Sequence, residues 1–460
     1  MDRRQFLRAS TTGIGSMALA HLSEGSAAAE ARKPHFDAKA KAVIFLCQSG
    51  APSQLDLFDY KPKLKQMHGQ KVPQSLIEGE RFAFLSGQPS LLGTPFQFER
   101  RGKSGAWISE LLPRTASVAD DLSFIYSLRT EQFNHVPAEL MLFTGHFRPG
   151  RPSMGAWVTY GLGSESVDLP AFVVLQSGRP GRCQTGCIGS GFLPTHYQGV
   201  PFRSGGDPVL SLSNPDGMSS EIRRASLDTL GELNRAKLEQ CGDPEISTRI
   251  ASYEMAYRMQ ASVPELMDIS REPAHIHSLY GTEPGKRTFS NNALLARRLV
   301  ERGVRFVMLT HGEWDHHGGP RINLVQHFPK ICREVDQGSA ALIADLKQRG
   351  LLDSTLVVWG GEFGRTPMLQ GSVDEPLVGR DHHRSFTMWM AGGGIKPGVQ
   401  YGATDELGYK VEADPATAHD LQATILHCLG MDHTRLTYRF QGRDYRITDV
   451  HGEVLRKLVS

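Results

Sequence analysis

Three features that the sequence lacks limit what this chain can be. No apolar run reaches the roughly 18 residues that a membrane-spanning helix requires. Positive charge is not in marked excess, since 51 lysine and arginine residues face 49 acidic residues and the net charge is +2. Because no basic stripe is present, we expect neither nucleic acid nor an anionic membrane to be an obligatory partner. Cysteine is also sparse, with six residues in a chain of 460.

The remaining composition is typical of a soluble globular protein. Hydrophobic residues make up 40% of the chain and charged residues 22%, which is enough to build a large core. A chain of this length can hold two or three domains, but α/β folds of this size often form a single one.

The N-terminus, residues 1–31, is predicted to be a signal peptide and not part of the fold. Arg3 and Arg4, followed by two apolar residues, resemble the twin-arginine export signal of bacteria. A weakly apolar stretch comes next, and the small residues of Ala27–Ala31 fit a cleavage site. The alternative is a short basic helix that stays attached. We expect a periplasmic or secreted protein that uses the twin-arginine export machinery, which carries proteins already folded.

Export of the chain would permit disulfide bonds between its cysteines. Cys183 and Cys187 lie four residues apart in a glycine-rich loop and are the expected pair. Cys47 and Cys428 lie in apolar stretches and are expected to be buried thiols.

Side chains that can bind metal ions follow or precede two apolar runs between residues 355 and 394. The runs Leu356–Trp359 and Phe386–Met390 predict buried parallel strands. The side chains at their ends are Glu362 and Arg365 after the first run, and Asp381, His382 and His383 before the second. Ligands of open α/β sheets bind at strand ends, so these groups predict a site. The alternative is that they are solvated loop residues.

Two earlier strand ends carry similar groups. Strand Lys41–Cys47 leads to Asp56, which is either a metal ligand or a helix cap. A strand over 122–128 leads to Asn134 and His135, which stand just before Pro137 and therefore at a helix N-terminus that favours anions. Asn134 has the alternative role of a simple cap.

A strand over 303–310 opens onto Asp315 and His317. These residues lie two apart in an extended segment, so their side chains face the same way, as ligands of one metal ion must. Three neighbours compete for the same role: His311, Glu313 and His316.

Other segments are predicted to build the rest of the domain. Residues 176–213 are rich in glycine and proline and are expected to be loops that cover the mouth of a site. Residues 217–285 predict a mostly helical peripheral insertion. An amphipathic helix is predicted over Gly105–Ala119, and the C-terminal tail predicts a short edge hairpin followed by a closing helix.

The order of these strand-end groups resembles the alkaline phosphatase superfamily, which includes the sulfatases. The segments SGAPSQLDLFD, NHVPAELMLFTG, GEWDHHG, GEFGRTP and GRDHHRSFTMWMAGGGIKPG more specifically resemble the domain-of-unknown-function 1501 family of exported bacterial proteins. The resemblance covers nearly the whole chain after the signal. It implies one alkaline-phosphatase-like α/β domain over residues 40–460, with a mostly parallel central sheet and helices on both faces.

The resemblance also implies a site with two divalent metal ions, of zinc, manganese, calcium or magnesium, that binds a phosphate or sulfate ester. The position of the nucleophilic Ser or Cys of sulfatases falls on His135, and the following Ser and Arg positions fall on Ala138 and Glu139. Imidazole can act as a nucleophile or as a metal ligand, and both roles stay open. The Asp-His pair of the superfamily is here Glu362-Phe363.

Together these observations predict an exported metal-dependent hydrolase of phosphate or sulfate esters, acting on an anionic ester or glycan. The alternative is a non-hydrolytic binding or assembly protein on the same scaffold, for envelope or extracellular glycans. Arg365 is expected to bind the anionic group bidentately, beside His135 and Asn134. The expected metal ligands are Asp56, Asp315, His317, Glu362, Asp381, His382 and His383.

The export signal generates the first prediction. Replacing both arginines of the motif, Arg3→Lys with Arg4→Lys, should leave the precursor in the cytoplasm because the export receptor reads the arginine pair. Cell fractionation measures this, and Arg8→Lys, outside the pair, is the matched control. Normal export of the double variant would contradict the assignment.

Overall fold

The computed structural model describes residues 33–80, 82–179, 181–203, 207–210, 212–372 and 376–460. The predicted signal peptide therefore lies outside the described residues. Among the helices of these ranges, none is long and apolar enough to cross a membrane.

A nine-stranded sheet forms the centre of the domain, and four small two-stranded sheets surround it. The strands are β1 (Ala42–Gln48), β2 (Phe98–Arg101), β3 (Ala106–Ser109), β4 (Ser123–Arg129), β5 (Phe172–Ser177), β6 (Val200–Phe202), β7 (Phe306–His311), β8 (Thr355–Gly360), β9 (Gly364–Arg365), β10 (His382–His383), β11 (Ser385–Ala391), β12 (Gln400–Tyr401), β13 (Ala403–Thr404), β14 (Val411–Ala413), β15 (Ala416–Thr417), β16 (Tyr438–Phe440) and β17 (Arg443–Tyr445).

Along the chain, most of the α-helices come between one strand of this sheet and the next. They are α1 (Gln54–Leu57), α2 (Pro62–Gln66), α3 (Gln74–Ile77), α4 (Pro113–Ser117), α5 (His135–Thr144), α6 (Met154–Leu162), α7 (Ser220–Cys241), α8 (Pro244–Met267), α9 (Ala274–Tyr280), α10 (Phe289–Glu301), α11 (Phe328–Gln348) and α12 (Ala418–Cys428). The segment 217–285 thus contains α7, α8 and α9, and Arg224 of α7 is paired with Glu254 of α8 at 2.6 Å.

The central sheet is largely parallel, which confirms the predicted fold class. Its strand order is β12-β4-β11-β8-β1-β7-β5-β6, and β15 also pairs with β4. Strand β1 runs parallel to β7 and β8, and β5 runs parallel to β7 and β6. Both faces are covered, because alternate residues of β1 enter different cores. Ile44 packs in the core that includes Leu294 of α10, and Phe45 packs in the core that includes Trp157 of α6.

The prediction of a parallel strand over Phe386–Met390 is wrong, because β11 is antiparallel to both β8 and β4. Parallel neighbours need a crossover connection that returns the chain to the starting edge of the sheet, and this is usually a helix. The described part of the connection from β8 to β11 contains only the small hairpin of β9 and β10. The chain therefore re-enters the sheet from the edge at which it left.

Two helix predictions also fail. Gly105–Ala119 contains strand β3, paired with β2, and only the five-residue helix α4, which begins at Pro113. The tail contains the predicted hairpin of β16 and β17 but no closing helix within residues 451–460. Val459 instead forms an isolated bridge with Ile395. Leu455 and Leu458 are buried in the same core as residues of α12, but the chain around them is not helical.

The cysteine predictions are confirmed. Cys183 and Cys187 form a disulfide, with their Cα atoms 5.7 Å apart. Cys47 and Cys428 are buried free thiols.

The parallel strands bring the carboxyl ends of β1, β5, β7 and β8 to one edge of the sheet. His311, the last residue of β7, is in register with Gln48 of β1 and with Ser177 of β5, and Cys47 is in register with Gly360 of β8. The loops that leave these strands therefore meet, as the strand-end argument expects.

Candidate metal centre

Four segments of the chain meet at the carboxyl edge of the sheet and bring imidazole and carboxylate groups together. The loop after β7 supplies Asp315 and His317, and the loop after β8 supplies Glu362. His135 is the first residue of α5, and His382 is the first residue of β10. These five residues are called the edge cluster below.

Asp315 is the centre of the edge cluster. Its Oδ1 lies 2.8 Å from Nε2 of His317 and 3.3 Å from Nε2 of His382. Its Oδ2 lies 3.3 Å from Nε2 of His135. Three imidazole rings therefore present the same nitrogen, Nε2, to one carboxylate.

The opposite nitrogen of each ring, Nδ1, has a partner of its own. Nδ1 lies 2.5 Å from Glu362 Oε1 in His135, 2.8 Å from the carbonyl oxygen of Phe133 in His382, and 2.6 Å from Gln370 Oε1 in His317. All three partner atoms only accept hydrogen bonds, so each Nδ1 is protonated and donates a hydrogen bond. In the neutral rings, Nε2 is then left as a lone pair that faces Asp315.

The groups around Asp315 favour the ionised form of its carboxyl group. Burial opposes the charge of Asp315, but three imidazoles and Arg365 hold the pKa of its carboxyl far below the ordinary value. Burial lowers the pKa of His382 despite its contact with Asp315, so this ring is neutral near pH 7. For His135, burial also acts against the charged ring, but the carboxylates of Asp315 and Glu362 outweigh it and raise the pKa.

A divalent cation fits this arrangement of donors. Neither the carboxylate oxygens nor an unprotonated Nε2 can donate a hydrogen bond, so a cation between them relieves their mutual repulsion. His135 Nε2 is buried and makes no hydrogen bond to any described residue. The ligand atoms of His135, Asp315 and His382 all lie within 4.8 Å of one another, close enough to share one ion.

The type of donor indicates which cation fits. Two imidazole nitrogens and one carboxylate oxygen suit zinc, manganese or iron, whereas calcium and magnesium take mainly oxygen ligands. Each imidazole also has the partner at its second nitrogen that orients metal-binding histidines in proteins. Glu362 performs this task for His135 and is itself held by the backbone N–H of Gly50, at 3.0 Å.

A second group of potential ligands among the described residues consists of Glu139, Cys183 and Cys187. Both of its sulfur atoms belong to the disulfide, and a disulfide sulfur is not the thiolate that binds metal ions. Among the residues that the structure describes, the available group of ligands is therefore that of His135, Asp315 and His382.

Three of the predicted ligands have other partners. Both carboxylate oxygens of Asp56 are occupied by the buried guanidinium of Arg380, at 2.7 and 3.1 Å. Asp381 accepts hydrogen bonds from the backbone N–H groups of His382 and Phe84. His383 donates from Nε2 to the carbonyl oxygen of Tyr409 at 2.6 Å. His383 points away from the cluster because neighbouring residues of a strand face opposite sides.

Asn134 occupies the N-cap position of α5, where its side chain makes no capping hydrogen bond, and it is exposed. The competing residues near Asp315 also have separate contacts. His316 Nδ1 lies 3.0 Å from the carbonyl oxygen of Trp314, His311 bonds to Ser177, and Glu313 is paired with Arg179.

The predicted anion-binding residue, Arg365, is fully engaged inside the protein. Its side chain is 1% exposed, and it donates to the carbonyl oxygens of Ala51, Gly50 and Arg380 as well as to Asp315 Oδ1 at 2.6 Å. Arg365 therefore holds Asp315 in place. A different arginine reaches the open side of the cluster: Arg182, which is 55% exposed and lies 2.6 Å from Asp315 Oδ2.

Two residues of the site were not predicted. Gln370 orients His317 from a loop with no sequence pattern that marks it, and Arg182 is one of several exposed arginines in the loop 176–213. The sequence feature nearest to Arg182 is the spacing of Cys183 and Cys187, which predicts a disulfide in this loop but does not mark Arg182 itself.

Comparison with known proteins agrees with the resemblance seen in the sequence. Residues 40–459 match the family described as "Protein of unknown function (DUF1501)". A search of curated proteins finds no match.

The structure is similar to that of the PsFucS1 sulfatase from Pseudoalteromonas sp., at 12% identity over 91% of this chain and 71% of that chain, with a TM-score of 0.36. It is also similar to a protein in the alkaline phosphatase superfamily from Vibrio parahaemolyticus, at 12% identity over 87% of this chain and 69% of that one, with a TM-score of 0.35. A third similar structure is the phosphonate monoester hydrolase SpPMH from Silicibacter pomeroyi, at 14% identity over 75% and 71%, with a TM-score of 0.31. At scores this low, the likeness carries no argument about the residues of the site.

The edge cluster predicts a difference between two neighbouring histidines. His382→Gln should strongly reduce bound metal, because it removes an Nε2 donor, while His383→Gln should leave metal content near that of the wild type. Elemental analysis of the purified proteins measures this, with about one ion per chain expected in the wild type. Thermal unfolding checks that both variants are folded. Equal metal content in the two variants would show that His382 is not a ligand.

Proposed function

The chain belongs to the DUF1501 family, and on that premise we propose that it is a metal-dependent hydrolase of phosphate or sulfate esters. The observation that supports this most is the convergence of three imidazole Nε2 atoms on Asp315, each ring fixed from behind at Nδ1. Metal binding releases the protons of such nitrogens, and the three Nε2 atoms and Asp315 would then be a set of donors that the protein already holds in position.

His135, Asp315 and His382 would hold the cation, which would supply the two tasks that hydrolysis requires, lowering the pKa of a water molecule and polarising an ester oxygen. The chain itself holds the ligands in position: Glu362 fixes His135, and Arg365 fixes Asp315. His135 and His382 are nearly inaccessible to solvent, while Asp315 is 17% exposed. The substrate therefore approaches from the side of Asp315.

His135 acts as a ligand in this proposal and not as a nucleophile. Its Nδ1 donates its proton to Glu362, and its Nε2 faces Asp315 in the buried part of the cluster. A nucleophilic nitrogen needs a path to phosphorus or sulfur, and here that path is occupied by the donors of the cation site.

Arg182 is the group that we assign to the anionic part of the ester. Its guanidinium lies at the open side of the cluster, where it is paired with Asp315 Oδ2. Because Arg182 is 55% exposed, its guanidinium would exchange Asp315 for an anionic group at low cost and would bind that group with two parallel hydrogen bonds. The substrate in this proposal is an anionic ester, including the sulfated or phosphorylated glycans expected from the sequence.

Export through the twin-arginine pathway is part of the same proposal. It is supported by Arg3 and Arg4 in the sequence and by the disulfide between Cys183 and Cys187, since disulfides persist in oxidising compartments. A folded protein carried by this pathway can take up its cation before export.

Hydrolysis should depend on the cation and on Asp315. The protein loaded with zinc or manganese should hydrolyse para-nitrophenyl phosphate or para-nitrophenyl sulfate, and removal of the metal should abolish turnover until the same ion is restored. Asp315→Asn should lower the rate by at least about 100-fold, because an amide binds cations and orients the imidazoles more weakly. Release of para-nitrophenol measures both effects.

His383→Gln, outside the cluster, is the control for general damage in that experiment. A protein that contains stoichiometric metal but hydrolyses neither ester would contradict the proposal and favour the non-hydrolytic binding protein.

The role of Arg182 can be separated from metal binding. Arg182→Ala should raise KM for the anionic ester by roughly 10-fold or more, because one charge-assisted hydrogen-bonding group is lost, while metal content stays unchanged. Arg179→Ala is the matched control, since Arg179 is in the same loop, is 82% exposed and pairs with Glu313. Steady-state kinetics with the metal-loaded proteins provide the measurement. Equal KM values in the two variants would remove Arg182 from the site.

A further inference from the structure

Two consecutive residues connect the edge cluster with a second buried carboxylate, Glu139. Arg182 contacts Asp315, and the backbone N–H of the next residue, Cys183, donates to Glu139 Oε2. Glu139 also lies four residues after His135 in α5, so the two side chains project from the same face of the helix. Glu139 is therefore a close neighbour of the cluster without being one of its ligands.

The position of Glu139 is fixed at both carboxylate oxygens. The hydroxyl of Ser49 donates to Oε1, while Cys183 holds Oε2. Ser49 comes directly before Gly50, which holds Glu362. The disulfide-bonded loop and the loop after β1 thus aim this carboxyl group, although neither neutralises it with a positive charge.

Glu139 lines a cavity of about 540 Å³. Apolar side chains form much of the wall, among them Phe143, Val174 and Met308, and polar groups are contributed by Thr310 and Arg287. Cys183, whose backbone N–H donates to Glu139, lines the same cavity, so the cavity adjoins both Glu139 and the residue that follows Arg182.

The surroundings of Glu139 favour its protonated form. Burial first, and the nearby Glu362 carboxylate second, raise the pKa of Glu139 to about 7, against the opposing effects of Ser49, the Cys183 N–H and His135. A carboxyl group with a pKa near neutrality can hold a proton before a reaction step and release it during the step.

We propose that Glu139 is the general acid that protonates the leaving alcohol of the ester, and that the cavity it lines holds this alcohol. The inference rests on the proposed hydrolase function. The oxygen of the attacking water forms a bond to phosphorus or sulfur, and the bond from that atom to the ester oxygen breaks. The ester oxygen takes the proton of Glu139 and leaves as an alcohol. The carboxylate then regains a proton from the attacking water, so that the products are the alcohol and the phosphate or sulfate.

This role identifies the class of substrate. Protonation matters when the leaving oxygen is strongly basic, as in alkyl and sugar hydroxyls, and matters little for an acidic phenol. A buried acid beside a cavity with both apolar and polar walls fits an ester of an aliphatic or sugar alcohol. Ser49 is then a positioning residue that orients the carboxyl group.

The test compares two esters that differ in their leaving group. The wild type and Glu139→Gln, both loaded with metal, are assayed with a para-nitrophenyl ester and with an alkyl ester of the same acid. Glu139→Gln should lower kcat/KM for the alkyl ester by roughly 100- to 10,000-fold, the usual contribution of general acid catalysis, and change that for the para-nitrophenyl ester by only a few-fold. His383→Gln, which lies outside both the edge cluster and the cavity, should affect both esters alike and weakly.

Each outcome of this test has one meaning. A selective loss on the alkyl ester supports Glu139 as the general acid. An equal loss on both esters, or no loss on either, overturns this role, while turnover of the para-nitrophenyl ester by the wild type still supports the hydrolase function. A wild type that hydrolyses neither ester overturns the hydrolase function and this inference with it. Metal content and thermal unfolding of Glu139→Gln show whether the variant is folded and loaded.

Discussion

The site depends on one carboxylate, that of Asp315, to which three imidazoles and two guanidiniums converge. The imidazoles come from segments far apart in the sequence, namely the start of α5, the loop after β7 and strand β10. Their contacts with Asp315 therefore tie these segments together. The same carboxylate also stabilises the fold. Without it, the guanidinium of Arg365, which is 1% exposed, would be buried without a charged partner. Breaking such a buried pair costs about 3–5 kcal/mol.

The hydrogen bonds at the Nδ1 atoms of the three rings determine whether their Nε2 atoms, which face Asp315, are available to bind a cation. A histidine whose Nδ1 donates to a carbonyl or carboxylate presents its Nε2 as an acceptor. Glu362, Gln370 and the carbonyl of Phe133 each impose this form on one ring. Three rings that were free to change tautomer would satisfy Asp315 with their own N–H groups and would leave no place for a cation. The second partners therefore make this group of polar residues a candidate coordination site.

Much of the fold and part of the site could be predicted from the sequence. Apolar runs marked β1, β4, β7 and β8, and the groups just after them include Asp315, His317 and Glu362, which the structure brings together. The local sequence did not show which of two adjacent residues has its side chain in the edge cluster. The pair His382 and His383 looks equivalent in sequence, but the strand geometry of β10 sends the two rings to opposite sides.

Long-range partners account for the rest. Asp56 looked like a ligand because it follows the first strand, but it is paired with Arg380, which lies 324 residues later in the chain. No periodicity or spacing reports such a contact. The same holds for Gln370 and for Glu139, whose significance depends on Ser49 and Cys183 from two other segments. Sequence reasoning located the edge of the sheet where the chemistry collects, whereas the assignment of each side chain needed the packed structure.

In the proposed function, the difference between the two arginines on Asp315 assigns substrate binding to Arg182 and its loop. A residue that binds an incoming anion must exchange its partner at low cost. Arg365 cannot do this, since leaving its position would strand the carbonyl groups of Ala51, Gly50 and Arg380 without a donor, each at about 1–3 kcal/mol. The pair of Arg182 with Asp315 is half exposed on the arginine side, and such pairs contribute only about 0–1 kcal/mol. Arg182 can therefore move from Asp315 to a substrate. Because Arg182 adjoins the disulfide of Cys183 and Cys187, the loop to which we assign anion binding also positions Glu139. In the proposed reaction, anion binding at one end of the ester is therefore coupled by geometry to proton transfer at the other.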